Sequence, residues 1–315
     1  AVKRSPQVTG KRRAVRETRR GLPVVVATLS ICTLFTIWGG GARGAPALPA
    51  DLTPTAYVYL PLIARAEYVC PTTSGHQYSS GIAYQYDTDD PVRPAWNHAD
   101  KNLALRSYSS TTPTRQELVN YGSGDPTQPP QFATLFSPNK VPSLVAFYRI
   151  HHWNWAPSPD PGTRSSPITD YEVTALGLGT TPGEVLYVPE SGYNIGGDPA
   201  MEVLVLFADE DSIALRYTRE DTSGSAGYTV HIDNICTDPD LLALYDTLDN
   251  PDGPRYQYPN PSYDLPNLPA GKPIGTAREG EIVVAIVDSG AYMDPRSCNE
   301  WWQIRPGYAG TCPPP

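Results

Sequence analysis

The chain has 315 residues, enough for one large domain or two ordinary ones, and its 40% hydrophobic content is compatible with a packed core. Pro is 35 and Tyr 20 against only 2 Met, in short runs broken by Pro and Gly, which argues against a helical protein and for a mainly-β one. The formal charge of −9 becomes −17 over residues 48–315, where 15 basic side chains face 32 acidic ones; such a surface repels nucleic acid and anionic lipid.

Eight of the nine basic side chains set aside in that count head the chain. Lys3, Arg4, Lys11, Arg12, Arg13, Arg16, Arg19 and Arg20 precede an uncharged stretch from Gly21 to Trp38, and Ala45-Pro46-Ala47 then supplies small residues two apart. This order is the layout of an export signal, expected over 1–47 with the mature end near Leu48. Thr18-Arg19-Arg20-Gly21-Leu22 resembles a twin-arginine signal, and Pro23 with the apolar stretch fits a general secretory one equally well. The alternative is an uncleaved N-terminal anchor, since eighteen helical residues span roughly 27 Å, about a bilayer core. Residues 48–69, with Tyr57-Val58-Tyr59-Leu60-Pro61 at their centre, read as a spacer or edge strand.

From Cys70 to Pro94 the chain is rich in Ser, Thr, Tyr and Asp. Tyr86-Asp87-Thr88-Asp89-Asp90-Pro91 has acids near calcium spacing, but Pro91 and Val92 stand where an acid and a Gly are needed, so a solvated turn is expected. Residues 105–142 read as a long loop, part of an insertion at about 105–170. Ser143–Ile150 has strand-like spacing, and His151-His152-Trp153-Asn154-Trp155 follows. Adjacent histidines on a strand point to opposite faces and chelate poorly, whereas Trp153 and Trp155 share a face suited to a core edge or to stacking a sugar ring.

Beyond Tyr171 short strands are expected at Tyr171–Leu176, Glu184–Val188, Met201–Ala208 and Ser212–Thr218, the last two joined as a hairpin by Asp209-Glu210-Asp211. Gly227–Asn234 alternates, with Tyr228, Val230 and Ile232 on one face and Thr229, His231 and Asp233 on a polar one, where His231 reads as a surface residue. One helix is signalled: Asp238 as N-cap, Pro239 at the first position, Asp240 at the positive end of the dipole, and an apolar side of Leu241, Leu242, Leu244, Tyr245 and Leu248. Ile282–Val287, bounded by Gly280 and Gly290, reads as a strand covered on both faces. Four cysteines follow residue 47, and an even count in an oxidising compartment allows three pairings. Cys298 with Cys312 closes a short loop and leaves Cys70 with Cys236; free buried thiols are the alternative.

Ile274-Gly275, the apolar strand and Ser289-Gly290-Ala291-Tyr292-Met293-Asp294-Pro295 together resemble the C-terminal end of the lysostaphin-type zinc endopeptidases. Gly183–Val188, Gly227–Asn234, Tyr245-Asp246-Thr247-Leu248 and Ala270–Gly275 add to the likeness, which covers about 170–296 well and 95–105 weakly. The resemblance implies a β-barrel or sandwich over 70–300 with one short helix, long Pro/Gly-rich loops and a C-terminal tail at 301–315. It places His98 and Asn102 on the family's first zinc-binding pair, Asn234 and Thr247 on family histidines, and Glu281 and Val283 on the His-x-His strand. Zinc hydrolysis needs three ligands, an open position and proton-moving groups. Asn102 has no anionic oxygen and Val283 no lone pair, so the resemblance implies the barrel without its zinc chemistry.

The expectation is therefore an exported, non-catalytic binding or scaffolding module of the cell envelope, at the cell surface, with no cofactor. Its partner would be a cell-wall polymer or an envelope protein, not nucleic acid. The rivals are a carbohydrate-binding surface protein using Trp96, Trp153 and Trp155, and an active zinc peptidase with other ligands. A Ser-His-Asp reading of Asp288-Ser289 has no proximity to recommend it.

Overall fold

The apolar run Ile282–Val287 is buried along its whole length, at the centre of a strand spanning Glu281–Asp288. Its β-branched side chains fit a pleated surface covered on both sides, and burying each of its large apolar groups contributes roughly 1.5–3 kcal/mol. A computed structural model describes residues 68–122, 127–155, 160–224, 226–303 and 312. The export signal or anchor expected over 1–47, and the spacer up to residue 67, lie outside the described residues.

In chain order the strands are β1 (Ser79–Tyr84), β2 (Tyr108–Ser110), β3 (Leu144–Asn154), β4 (Thr163–Pro167) and β5 (Ala175–Gly179). Then follow β6 (Val185–Tyr187), β7 (Val203–Ala208), β8 (Ser212–Arg216), β9 (Tyr228–Asp233) and β10 (Ile235–Thr237). The last are β11 (Ser262–Leu268), β12 (Pro273–Ala277), β13 (Glu281–Asp288) and β14 (Ala291–Tyr292). The large sheet runs β1-β11-β7-β8-β9-β13-β5-β3-β2, with β14 paired to β13 and β4 to β3; a second sheet runs β10-β12-β6. All these pairings are antiparallel, so the protein is mainly β.

One face of the large sheet closes the main core, built on Leu204, Leu206, Leu215, Val230, Ile232, Ile282, Val284 and Ile286. The opposite face is covered too, by a smaller cluster of Leu103, Ile150, Ile168, Ala175, Val283, Ala285, Val287 and Tyr292. His231 lies on this second face, paired with Ala285, and is 1% exposed. The polar face expected to carry a surface histidine is thus an interior one, because Tyr292 of β14 stacks on His231 with ring centroids 6.1 Å apart.

The expected helix is present as α2 (Pro239–Leu248), with Asp238 accepting from the Asp240 and Leu241 amides and Leu241 and Tyr245 buried. Two single-turn helices join it: α1 (Leu103–Arg106), capped by the Asn102 side chain, and α3 (Cys298–Trp301). One turn is too short to show a 3.6-residue period, so neither was visible in the sequence. The strand expected from Tyr171 starts only at Ala175. The Pro-rich stretch 251–269 contributes β11; Pro266 sits opposite Ser80 of β1, beyond the short ladder to β7, where its missing N–H is not needed.

The region expected as an insertion is integral to the sheet, since β3 pairs with β2, β4 and β5, and a 3-10 turn at Phe132–Leu135 lies wholly in the core. Trp301 and Trp302, assigned to a tail, are 2% and 1% exposed, their indole N–H groups donating to the Asp294 and Pro295 carbonyls. Both disulfides form: Cys70–Cys236 ties the segment before β1 to β10, and Cys298–Cys312 joins the first residue of α3 to Cys312. Two such bonds fit an oxidising compartment.

Candidate functional site

Of the positions implied by the resemblance, Asn234, Glu281 and Val283 come together where β9 meets β13. Val283 pairs with Asp233, and the Asn234 amide donates to the Glu281 carbonyl. The Glu281 carboxylate lies over Gly177 of β5, where an added Cβ would sit 2.3 Å from its Oε1; a side chain there would displace it. Tyr148 donates to that carboxylate at 2.8 Å and stacks obliquely on Tyr108, centroids 4.8 Å apart. Burial, then the bond to Glu281, pushes the Tyr148 hydroxyl up to about 12. Burial also lifts Asp233 to about 7, helped by Asp211 and Asp209 in the β7–β8 turn. Two residues along the same face, burial holds His231 down to about 4, with Arg106 adding and Asp100 opposing. Val283 is 3% exposed and belongs to the apolar cluster of that face.

His98 lies in a different setting. It caps the C-terminal end of a 3-10 turn at Ala95–Asn97, accepts the Asp100 N–H on Nδ1, and places Nε2 3.4 Å from Asp87. It shares no hydrogen bond, ion pair or ring contact with Asn234, Glu281 or Val283. Asn102 accepts from the Ala104 amide and donates to the Trp96 carbonyl, so both ends of its amide serve the start of α1. Thr247 bonds back to the Ala243 carbonyl on the exposed side of α2. Among the described residues no group of three or more His, Cys, Asp or Glu is placed to hold a metal ion.

What surrounds His98 is a pocket of about 400 Å³, bordered by Asp87, Asp89, Arg93, Asp100 and Trp155. Trp155 leaves the end of β3 and is 44% exposed. Its ring is held by the Arg93 guanidinium 4.8 Å from the centroid, by the His98 edge at 5.0 Å and by Trp153 at 6.4 Å. Trp153 is itself pinned by its indole N–H to the Pro161 carbonyl. Trp96 lies against Tyr256 instead, centroids 5.8 Å apart, and does not line this pocket.

Comparison with protein-family models, curated proteins and solved structures finds no match to this chain.

Behind the pocket lies a buried charge network. Lys101, 1% exposed, places Nζ 2.6 Å from Asp87 and 3.5 Å from Asp221. Asp221 also accepts from Tyr263 and from the Tyr86 amide. Burial opposes the charge on Asp87, but Lys101 and then His98 outweigh it and hold the carboxyl far below the usual carboxylate range. Asp100 is likewise fixed, 2.6 Å from Arg106. The loop read as a solvated turn is thus anchored through Asp87, for which a lone buried lysine 14 residues on leaves no periodic signal. Among the described residues no helix is long and apolar enough to cross a membrane.

Proposed function

We propose that the protein is an exported, non-catalytic binding or scaffolding module of the cell envelope, built on a degenerate lysostaphin-type barrel. What supports this is the use made of the positions that would carry zinc chemistry in that family. Asn102 caps α1, Thr247 bonds its own helix and Val283 fills an apolar cluster. Each side chain is committed to local structure, and the ring nitrogens of His98 face the Asp100 amide and the Asp87 carboxylate. The paired cysteines accord with export, and the acidic surface with a partner other than nucleic acid or anionic lipid.

Incubating the purified oxidised protein with isolated cell walls tests this directly. It should be retained on the wall fraction, hold zinc well below one ion per chain after dialysis, and release no peptide from wall cross-links. Glu281→Ala should leave retention unchanged. Chelator-sensitive cleavage of wall peptides, with one tightly held zinc, would show the reading to be wrong.

A further inference from the structure

The pocket between His98 and Trp155 has the features of a carbohydrate subsite. Trp155 is exposed yet immobilised on three sides by Arg93, His98 and Trp153. An indole face held in this way offers an apolar surface without an ordering cost on binding. Carboxylates stand around it: Asp87, Asp89 and Asp100 line the same pocket. Carboxylate oxygens accept hydrogen bonds from hydroxyl groups, and a pyranose presents both requirements at once, an apolar C–H face and a rim of hydroxyl donors. A volume of about 400 Å³ is toward the small end of ligand pockets, room for one or two sugar rings.

The charges decide which sugar. Asp87 is paired with Lys101, Asp100 with Arg106, and Asp89 lies 3.8 Å from Arg93. Each carboxylate therefore keeps its acceptor oxygens while its charge is balanced. A uronic or phosphorylated unit would find the pocket's cations already paired with these carboxylates, on a chain whose residues 48–315 carry a formal charge of −17. A cationic sugar would meet carboxylates already paired with cations. We infer that the Trp155 pocket binds a neutral pyranose, one or two rings of a wall glycan, stacked on the indole and held by Asp89 and its neighbours; this rests on the envelope-binding role proposed above and names its ligand class.

The test titrates the oxidised full chain with chitotetraose and cellotetraose, and with tetragalacturonate as the anionic counterpart, by tryptophan fluorescence and calorimetry. At least one neutral tetraose should bind saturably and tetragalacturonate should not. Trp155→Ala should weaken binding at least tenfold, Trp155→Phe should recover most of it, and Trp96→Ala should change nothing. Equal binding by parent and Trp155→Ala, tighter binding of tetragalacturonate, or no binding of either neutral tetraose overturns the assignment. Retention on whole cell walls, measured in parallel, separates the two claims. Retention without tetraose binding overturns the sugar site alone, and tetraose binding without retention overturns the envelope role alone.

Discussion

Replacing Lys101 by Met removes the cation from a buried ion network and keeps most of the side-chain stem. In the parent, Nζ is 2.6 Å from Asp87 and 3.5 Å from Asp221, with Lys101 and Asp221 each 1% exposed and the Asp87 side chain 14%. Two carboxylates would then face each other with no ammonium between them. Breaking a buried pair by removing one partner costs about 3–5 kcal/mol, the desolvation of the stranded charge being the larger part. At about 2–4 °C per kcal/mol for a domain of this size, the melting temperature should fall by about 10 °C. Urea unfolding at pH 7, followed by tryptophan fluorescence with disulfides intact, should give a lower midpoint at unchanged slope. The deficit should shrink as pH falls below about 5, because protonating the stranded carboxyls removes the charge that Lys101 balanced in the parent. A loss under about 1 kcal/mol, or a deficit that does not shrink in acid, would refute the view that this network holds the pocket loops in place.

His231 and Asp233 should give opposing pH dependences from one strand face. His231 is held near 4 against an ordinary 6.5, so the unfolded chain takes up a proton first and stability is lost as pH falls from 6.5 to 4. Asp233, raised from 3.8 to about 7, keeps its proton in the folded state, so its contribution is full below about 4 and lost as pH rises through 7. Asp233→Asn should therefore remove the compensation, leaving a steeper loss of stability between pH 6.5 and 4 in urea titrations; an unchanged slope would count against the assignment. Reducing both disulfides should lower stability by about 3 kcal/mol for the loop closed by Cys298–Cys312 and about 5 for that closed by Cys70–Cys236, on the chain-entropy estimate, with non-reducing peptide mapping as the check on pairing. Gly275→Ala should destabilise by roughly 2 kcal/mol or more, since a Cβ there would lie 2.3 Å from the Cys236 carbonyl oxygen; a variant that melts with the parent would show that this close approach relaxes freely.

Elements specified by local chemistry were legible in the sequence. The Asp238-Pro239 cap set the start of α2, the apolar run between two glycines set β13, and the Asp209-Glu210-Asp211 turn set the β7–β8 hairpin. What escaped depends on partners distant in sequence. β1 and β11 are separated in the chain by β2 to β10, and neither SSGIAY nor SYDLPNL alternates strongly enough to be read without the other. His231 looked exposed because its strand alternates polar with apolar, but Tyr292, 61 residues later, stacks on it within the cluster that covers this face. The Trp155 platform was half visible: the Trp-x-Trp spacing marked a shared face, but Arg93, Asp89 and Asp87 come to it from a loop whose composition read as a solvated turn.

The same distinction bears on the likeness to the zinc endopeptidases. Three of the residues on which that resemblance rests have packing reasons to be there. Gly275 allows β12 to approach β10, and Asp294 is 2% exposed, gripping Arg296 at 2.7 Å and accepting from Tyr121 at 2.8 Å. Pro295 gives up its carbonyl to the Trp302 indole, closing the turn over the C-terminal tryptophans. A motif made of such positions constrains backbone geometry and leaves chemistry open, since activity resides in the side chains a scaffold presents. Here the side chains that would have to act are spent otherwise: Asn102 on a helix cap, Val283 on an apolar cluster, His98 on Asp87 and the Asp100 amide. The exposed aromatic surface and the acceptor-rich pocket lie beside His98, not over Glu281, and a ligand is therefore to be sought at the end of β3.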